Sequence, residues 1–193
     1  MGTGEPPHRK QCRRWDIPWD AHFLTFSCFQ RRPFFCGKQS PQWFLEALDE
    51  ARQKRPFRLW GYVIMPEHVH LLILPLEGVK INEILRHIKQ PVSRRVVKWV
   101  QRTSPAFLER MTERRPGGKV TLRFWQPGGG YDRNMRSTRD VHEKLEYLHW
   151  NPVARDLVER PGDWPWSSWR AWAEGVDEPI AIDRESFPLL QRF

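Results

Sequence analysis

The run FRLWGYVIMPEHVHLLIL, residues 57–74, constrains the fold more than any other part of the chain. Residues 57–65 and 68–74 are both rich in aromatic, aliphatic and β-branched side chains, the composition of strands. Only Pro66 and Glu67 separate them, and so tight a connection makes the two strands antiparallel neighbours. Pro75 closes the second strand. Alternation points Val69, Leu71 and Ile73 to one face, where they anchor the strand in a core.

The remaining chain is read around this hairpin. HFLTFSCF, residues 22–29, predicts a first strand. Ser40 and Pro41 offer an N-cap and a first helical position for QWFLEALDEARQK, in which Phe44, Leu48 and Ala51 share a face. A second helix over residues 81–102 follows from Ile84, Leu85, Ile88 and Val92, with Pro91 placed to bend or split it. Residues 103–123 read as an irregular insertion with a short helix around 106–111. Residues 121–125 read as the last strand or its lead-in, and Gly128, Gly129 and Gly130 as a flexible joint. Ser137 or Thr138 caps a helix with Val141, Leu145 and Leu148 on one side, which Pro152 ends or kinks. The order is that of a ferredoxin-like α/β (α+β) sandwich with an antiparallel sheet and a C-terminal extension. One domain is expected over residues 1–193, with a basic arm at 1–19 and an extended tail at 173–193.

Composition narrows the partners. Hydrophobic residues make up 39% and charged residues 28%, values of a folded soluble chain. No run of 18 apolar residues suggests a membrane span, and no apolar segment near the N-terminus suggests secretion. Cys12, Cys28 and Cys36 lack CxxC spacing, which argues against a disulfide framework or structural zinc and for a reducing cytoplasm. The net charge is +9, and 24 of 32 basic residues are arginine, whose planar fork suits phosphate oxygens and whose face stacks on bases. Nucleic acid is favoured over an anionic membrane because no long basic amphipathic helix stands out. Most of the 11 tryptophans are expected in packing, a few as platforms for bases.

Strand periodicity gives the first chemical statement. His68 and His70 share one face, roughly 6–7 Å apart at Cα, within reach of a single metal ion. HxH by itself is common and has a structural reading; here it opens an apolar strand, where imidazole is an unusual choice. Glu67 reads as a turn residue or as support for the pair. Cleavage of a phosphodiester also needs a nucleophile, and there are three tyrosines. Tyr62 lies mid-strand and Tyr131 follows the glycines. Tyr147 lies on the last helix with Asn151 four residues on, so one face could offer a phenol and an amide oxygen. A tyrosine packed on the sheet with its hydroxyl exposed is the alternative, and His149 competes as a third ligand. Asn151 precedes Pro152, which biases it away from helical geometry. Two imidazoles and an amide suit Mg²⁺ or Mn²⁺. Candidate DNA contacts are Arg94, Arg95 and Lys98 on the second helix, Arg133 and Arg136 after the glycines, and Arg9, Lys10, Arg13 and Arg14 in the arm.

GYVIMPEHVHLLI (61–73), WQPGGGYDRNMRS (125–137), EYLHWNPV (146–153) and DWPWSS (163–168), in this order, resemble the REP-associated tyrosine transposases, relatives of the single-tyrosine HUH transposases of the IS200/IS605 type. The resemblance runs over about residues 19–172. It implies a ferredoxin-type fold that cuts and rejoins single-stranded DNA beside palindromic hairpins through a 5′-phosphotyrosine. It also implies His68 and His70 as metal ligands, Asn151 as the third ligand and Tyr147 as nucleophile, so Tyr131 is not the family nucleophile. Relatives include monomers and homodimers, and the state of this chain stays open. The competing reading is a non-catalytic nucleic-acid-binding protein on a ferredoxin-like sheet.

Overall fold

The structure, a computed structural model, describes residue 17 and residues 19–190. Strand β1 (His22–Ser27) leads through a short turn to helix α1 (Gln39–Lys54). The predicted hairpin follows as β2 (Phe57–Ile64) and β3 (His68–Pro75), then helix α2 (Ile81–Thr103). Helix α3 (Leu108–Met111) and the ribbon β4 (Thr112–Arg114) and β5 (Val120–Leu122) form the insertion. Strand β6 (Tyr131–Asn134), helix α4 (Thr138–Ala154) and helix α5 (Trp169–Ala173) complete the fold.

The four-stranded sheet runs β2-β3-β1-β6, antiparallel throughout. Strands β1 and β2 thus run the same way with β3 between them, the split β-α-β of a ferredoxin-like sandwich. Alternation divides the side chains between two cores. Leu24, Phe26, Val69, Leu71 and Ile73 meet Phe44 and Leu48 of α1 and Ile84, Ile88 and Val92 of α2. On the other face Phe23, Val63 and Leu72 meet Leu145 and Leu148 of α4. Helix α4 approaches closely because a bulge between Leu59 and Gly61 turns a glycine toward it. Among the described residues, no helix is long and apolar enough to cross a membrane.

The C-terminal extension is bound along the outer edge of β2. The Ile64 N–H donates to Trp166 O at 2.8 Å, Ser168 N–H to Tyr62 O at 2.9 Å and Asp183 N–H to Leu59 O at 2.8 Å. An otherwise open edge is thereby covered. Ile180, Ile182 and Phe187 are buried, so the tail is pinned by apolar groups. Trp164 and Trp172 donate their indole N–H to Ile64 O and Trp60 O, which makes them packing residues with a satisfied polar tip.

Five details depart from the sequence expectations. Helix α1 starts at Gln39 without a side-chain cap, because Ser40 Oγ donates to Phe34 O instead. Helix α2 runs through Pro91 as one span. Of residues 121–125, the first two belong to β5 of the separate ribbon and Trp125 is only bridged to Cys28, so the last strand of the four-stranded sheet is β6. Gly130 is a site of close approach, with Thr25 O 2.3 Å from where a Cβ would stand, so that end of the glycine run is fixed. Helix α4 continues through Pro152 to Ala154, since burial of Leu148, His149, Asn151 and Pro152 outweighs the local pre-proline bias. The expected cap is present: Ser137 Oγ accepts from the Asp140 N–H at 3.1 Å.

Candidate functional site

The face of β1 and β3 opposite α1 and α2 is only partly covered by α4, which leaves an open depression of about 490 Å³. Thr25, His68, His70 and Tyr131 line it from the sheet, and Lys144, Tyr147, Asn151 and Arg155 from α4 and its end. The pairing explains the sheet side: Thr25 stands opposite both His70 and Tyr131, so all three point the same way.

The histidines face each other with Nε2 atoms 3.0 Å apart. Their outer nitrogens are held. His68 Nδ1 lies 3.0 Å from Glu67 Oε1, so it carries the proton and donates. His70 Nδ1 lies 2.7 Å from Thr25 Oγ1. Burial pushes the His70 imidazole down to about 3, with positive charge at His68 and Lys144 adding to the shift. Burial also lowers His68, against the opposing pull of Glu67. For Glu67, burial is the largest single influence and acts upward, but His68 and Arg155 together bring it below the ordinary carboxylate range. Both shifts favour the neutral imidazole, the form that binds metal.

Asn151 is 7% exposed, and its amide nitrogen is 3.5 Å from His70 Nε2. Its Oδ1 is buried without a hydrogen-bond partner among the described residues. Turning the amide about its axis exchanges the two atoms and directs this oxygen to the histidines. The residues therefore fit a divalent cation: two imidazole nitrogens face each other, and an adjacent buried carbonyl oxygen is without a partner among the described residues. Among the described residues no group of three or more His, Cys, Asp or Glu converges, so this nitrogen–oxygen set stands without a carboxylate.

Tyr147 is 48% exposed, and its ring lies edge-on to His70 at 5.6 Å between centroids. Lys144 Nζ is 5.1 Å from the same ring centre. Tyr147, Asn151 and both histidines thus meet within one chain. The competitor His149 points away: it is buried, with Nε2 2.9 Å from Ser168 Oγ, and burial lowers it to about 4. Tyr62 is sealed in the core, while Tyr131 is exposed at the border of the depression.

The basic candidates separate. Arg94, Arg95 and Lys98 ride on α2, in the layer behind the sheet, and Arg95 is engaged with Glu46 and Glu50 of α1. Arg133 is engaged by Asp140 at 2.8 Å, beside an exposed Arg136. Arg9, Lys10, Arg13 and Arg14 lie outside the described residues. The cations that do border the depression, Arg31, Lys144 and Arg155, were missed in the sequence. Spacing could have found two of them, because Lys144 stands three residues before Tyr147 and Arg155 four after Asn151.

A family model described as "Transposase IS200 like" matches residues 20–112, which include β1, the hairpin and both histidines. A REP-associated tyrosine transposase of Escherichia coli is 26% identical over 157 residues, 81% of this chain and 80% of that protein. Over these residues the chain is similar to the REP-associated tyrosine transposases and to the wider IS200-like transposases. A putative member from Haemophilus influenzae is 28% identical over 65% of this chain and 66% of its own length. The fold matches a solved REP-associated tyrosine transposase bound to a REP hairpin, with a TM-score of 0.66 and 21% identity, over 95% of this chain and all of that one. That match bears on the fold, an α/β sandwich with an antiparallel sheet.

Proposed function

We propose that the chain is a REP-associated tyrosine transposase of the IS200/IS605 type, a metal-dependent endonuclease and transposase. It would cleave and rejoin single-stranded DNA beside palindromic hairpins through a 5′-phosphotyrosine intermediate. The observation that carries this reading is the convergence of a half-exposed Tyr147 with His68, His70 and the unpartnered Asn151 oxygen in one depression.

The Tyr147 phenol attacks the phosphorus, forming a P–O bond to tyrosine while the bond to O3′ breaks and a 3′-hydroxyl leaves. The phenolic proton passes to solvent in this open site. The Lys144 ammonium lies beside the phenol, and Arg31 borders the path of the phosphate backbone. His68, His70 and Asn151 would hold Mg²⁺ or Mn²⁺, which when bound polarises a phosphate oxygen. Rejoining is the reverse step, in which a 3′-hydroxyl attacks the phosphotyrosine, so no external energy source is needed. Tyr131, exposed on the border, suits stacking with an unpaired base.

The test is adduct trapping on hairpin-flanking single strands, with peptide mapping of the attached residue. Wild type and Tyr131→Phe form the adduct with Mn²⁺ and form none when a chelator is present from the start. Tyr147→Phe binds hairpin DNA normally without an adduct. An adduct retained by Tyr147→Phe, or wild type that binds hairpins yet never becomes attached, overturns the reading.

A further inference from the structure

Tyr147 and Asn151 are four residues apart, and four further on stands Arg155, the residue that ends α4. All three border the depression. Arg155 Nη1 donates to Glu67 Oε1 at 3.0 Å, and the same oxygen accepts from His68 Nδ1 at 3.0 Å. Glu67 lies in the turn between β2 and β3 and is 8% exposed. One buried carboxylate oxygen therefore joins the end of the tyrosine-bearing helix to the first histidine of the pair.

The sequence makes this junction necessary. Pro152 has no N–H for the helical bond to Leu148, so the last turn of α4 is held by fewer backbone bonds. Beyond it the chain turns away from helical bonding, with the Arg155 N–H to Val153 O, the Asp156 N–H to Val153 O at 2.9 Å and the Leu157 N–H to Pro152 O at 3.0 Å. The turn that lacks this bond is the one that carries Asn151. A charged bond at Arg155 fastens it from the far side.

We propose that Arg155 and Glu67 form a positioning clamp. It sets the end of α4 against β3, so that Asn151 and Tyr147 keep their place relative to the histidines, and it keeps the His68 proton on Nδ1, so that Nε2 faces the depression as a lone pair. The proposal rests on the tyrosine-nuclease reading for its purpose. Neither residue forms or breaks a bond to substrate. A carboxylate behind a metal-binding imidazole orients the ring and raises its basicity, and its loss typically costs about 10–100-fold in metal affinity. Here the same carboxylate also reports whether the nucleophile's helix is docked.

The experiment uses the full chain with Arg155→Met, which keeps the apolar stem, Arg155→Lys, Glu67→Gln and the double variant. Without DNA or metal, hydrogen exchange of amides 149–157 accelerates about five-fold in Arg155→Met and is unchanged in β1 and α1. Mn²⁺ affinity, read by electron paramagnetic resonance on DNA-free protein, falls about ten-fold in Glu67→Gln and less in Arg155→Met. The double variant is no worse than Glu67→Gln, and Arg155→Lys restores both readouts to within about two-fold. Hairpin affinity stays within two-fold of wild type throughout, while the rate of adduct formation drops. Arg155→Met with wild-type exchange and Mn²⁺ binding but weakened hairpin binding overturns the clamp and makes Arg155 a phosphate contact. Exchange and Mn²⁺ effects as expected, in a wild type that forms no adduct, leave the clamp standing and refute the nuclease reading instead.

Discussion

Gly130→Ala tests how the sheet edge beside the candidate site is held. Gly130 has φ +74, and a Cβ there would stand 2.3 Å from Thr25 O and 3.3 Å from Phe26 Cα. Two costs follow. A left-handed backbone with a Cβ costs about 1–2 kcal/mol. Relieving a contact against backbone, which cannot rotate away, costs about 1–3 kcal/mol more through parting of β1 and β6. The whole is about 2–5 kcal/mol, a large share of a typical domain's stability. Gly175 supplies the control: its φ is +73, and nothing lies within 4 Å of its Cβ position. Gly175→Ala therefore carries only the backbone cost. Urea unfolding followed by tryptophan fluorescence measures both variants. At roughly 2–4 °C per kcal/mol for a chain of this size, Gly175→Ala lowers Tm by about 2–8 °C and Gly130→Ala by about 4–20 °C. A difference under about 0.5 kcal/mol between the two would refute the close approach and return residues 128–130 to a flexible joint.

Further outcomes follow from the same structure. The Asp183 carboxylate accepts from the Leu59 N–H at 2.7 Å and from Arg52 at 2.8 Å, so Asp183→Ala strands a buried edge donor and lowers stability by about 1–3 kcal/mol in denaturant titration. Wild-type stability in that variant would show that the tail does not bind the β2 edge. Cys36 is exposed while Cys28 is buried, with its thiol pushed well up by that burial. Iodoacetamide followed by peptide mapping modifies Cys36 in the native protein and reaches Cys28 only after unfolding.

The hairpin was legible because two apolar runs across a two-residue turn admit one arrangement. Strand β6 was not. YDRN is four residues long, largely polar and without alternation. It is held by its ladder to β1 and by side-chain bonds from distant residues. His22 Nδ1 lies 2.7 Å from Asp132 Oδ1, and the Asn134 amide donates to Asp20 at 3.0 Å. Pairings over more than a hundred residues leave no trace in local periodicity. The three glycines beside it read as freedom for the same reason: the carbonyl that Gly130 must accommodate belongs to Thr25.

The site divides along a similar line. His68 and His70 on one face followed from alternation alone, and Tyr147 and Asn151 on one helical side followed from spacing. Asn151 was the uncertain member because Pro152 argues locally against a helix, and only its burial under tertiary packing decides the matter. The basic cluster on α2 lies away from the histidines for another reason. Helical periodicity shows that Arg94 and Lys98 face outward, but not which side of the sheet their helix covers. Connection handedness does: right-handed crossovers put α1 and α2 on one face of the sheet. Strand alternation gives that face to Val69, Leu71 and Ile73, and so gives His68 and His70 the other. The α2 cations could therefore never border the histidines. The cations that do must come from α4 or from the turn after β1, where Lys144, Arg155 and Arg31 are found.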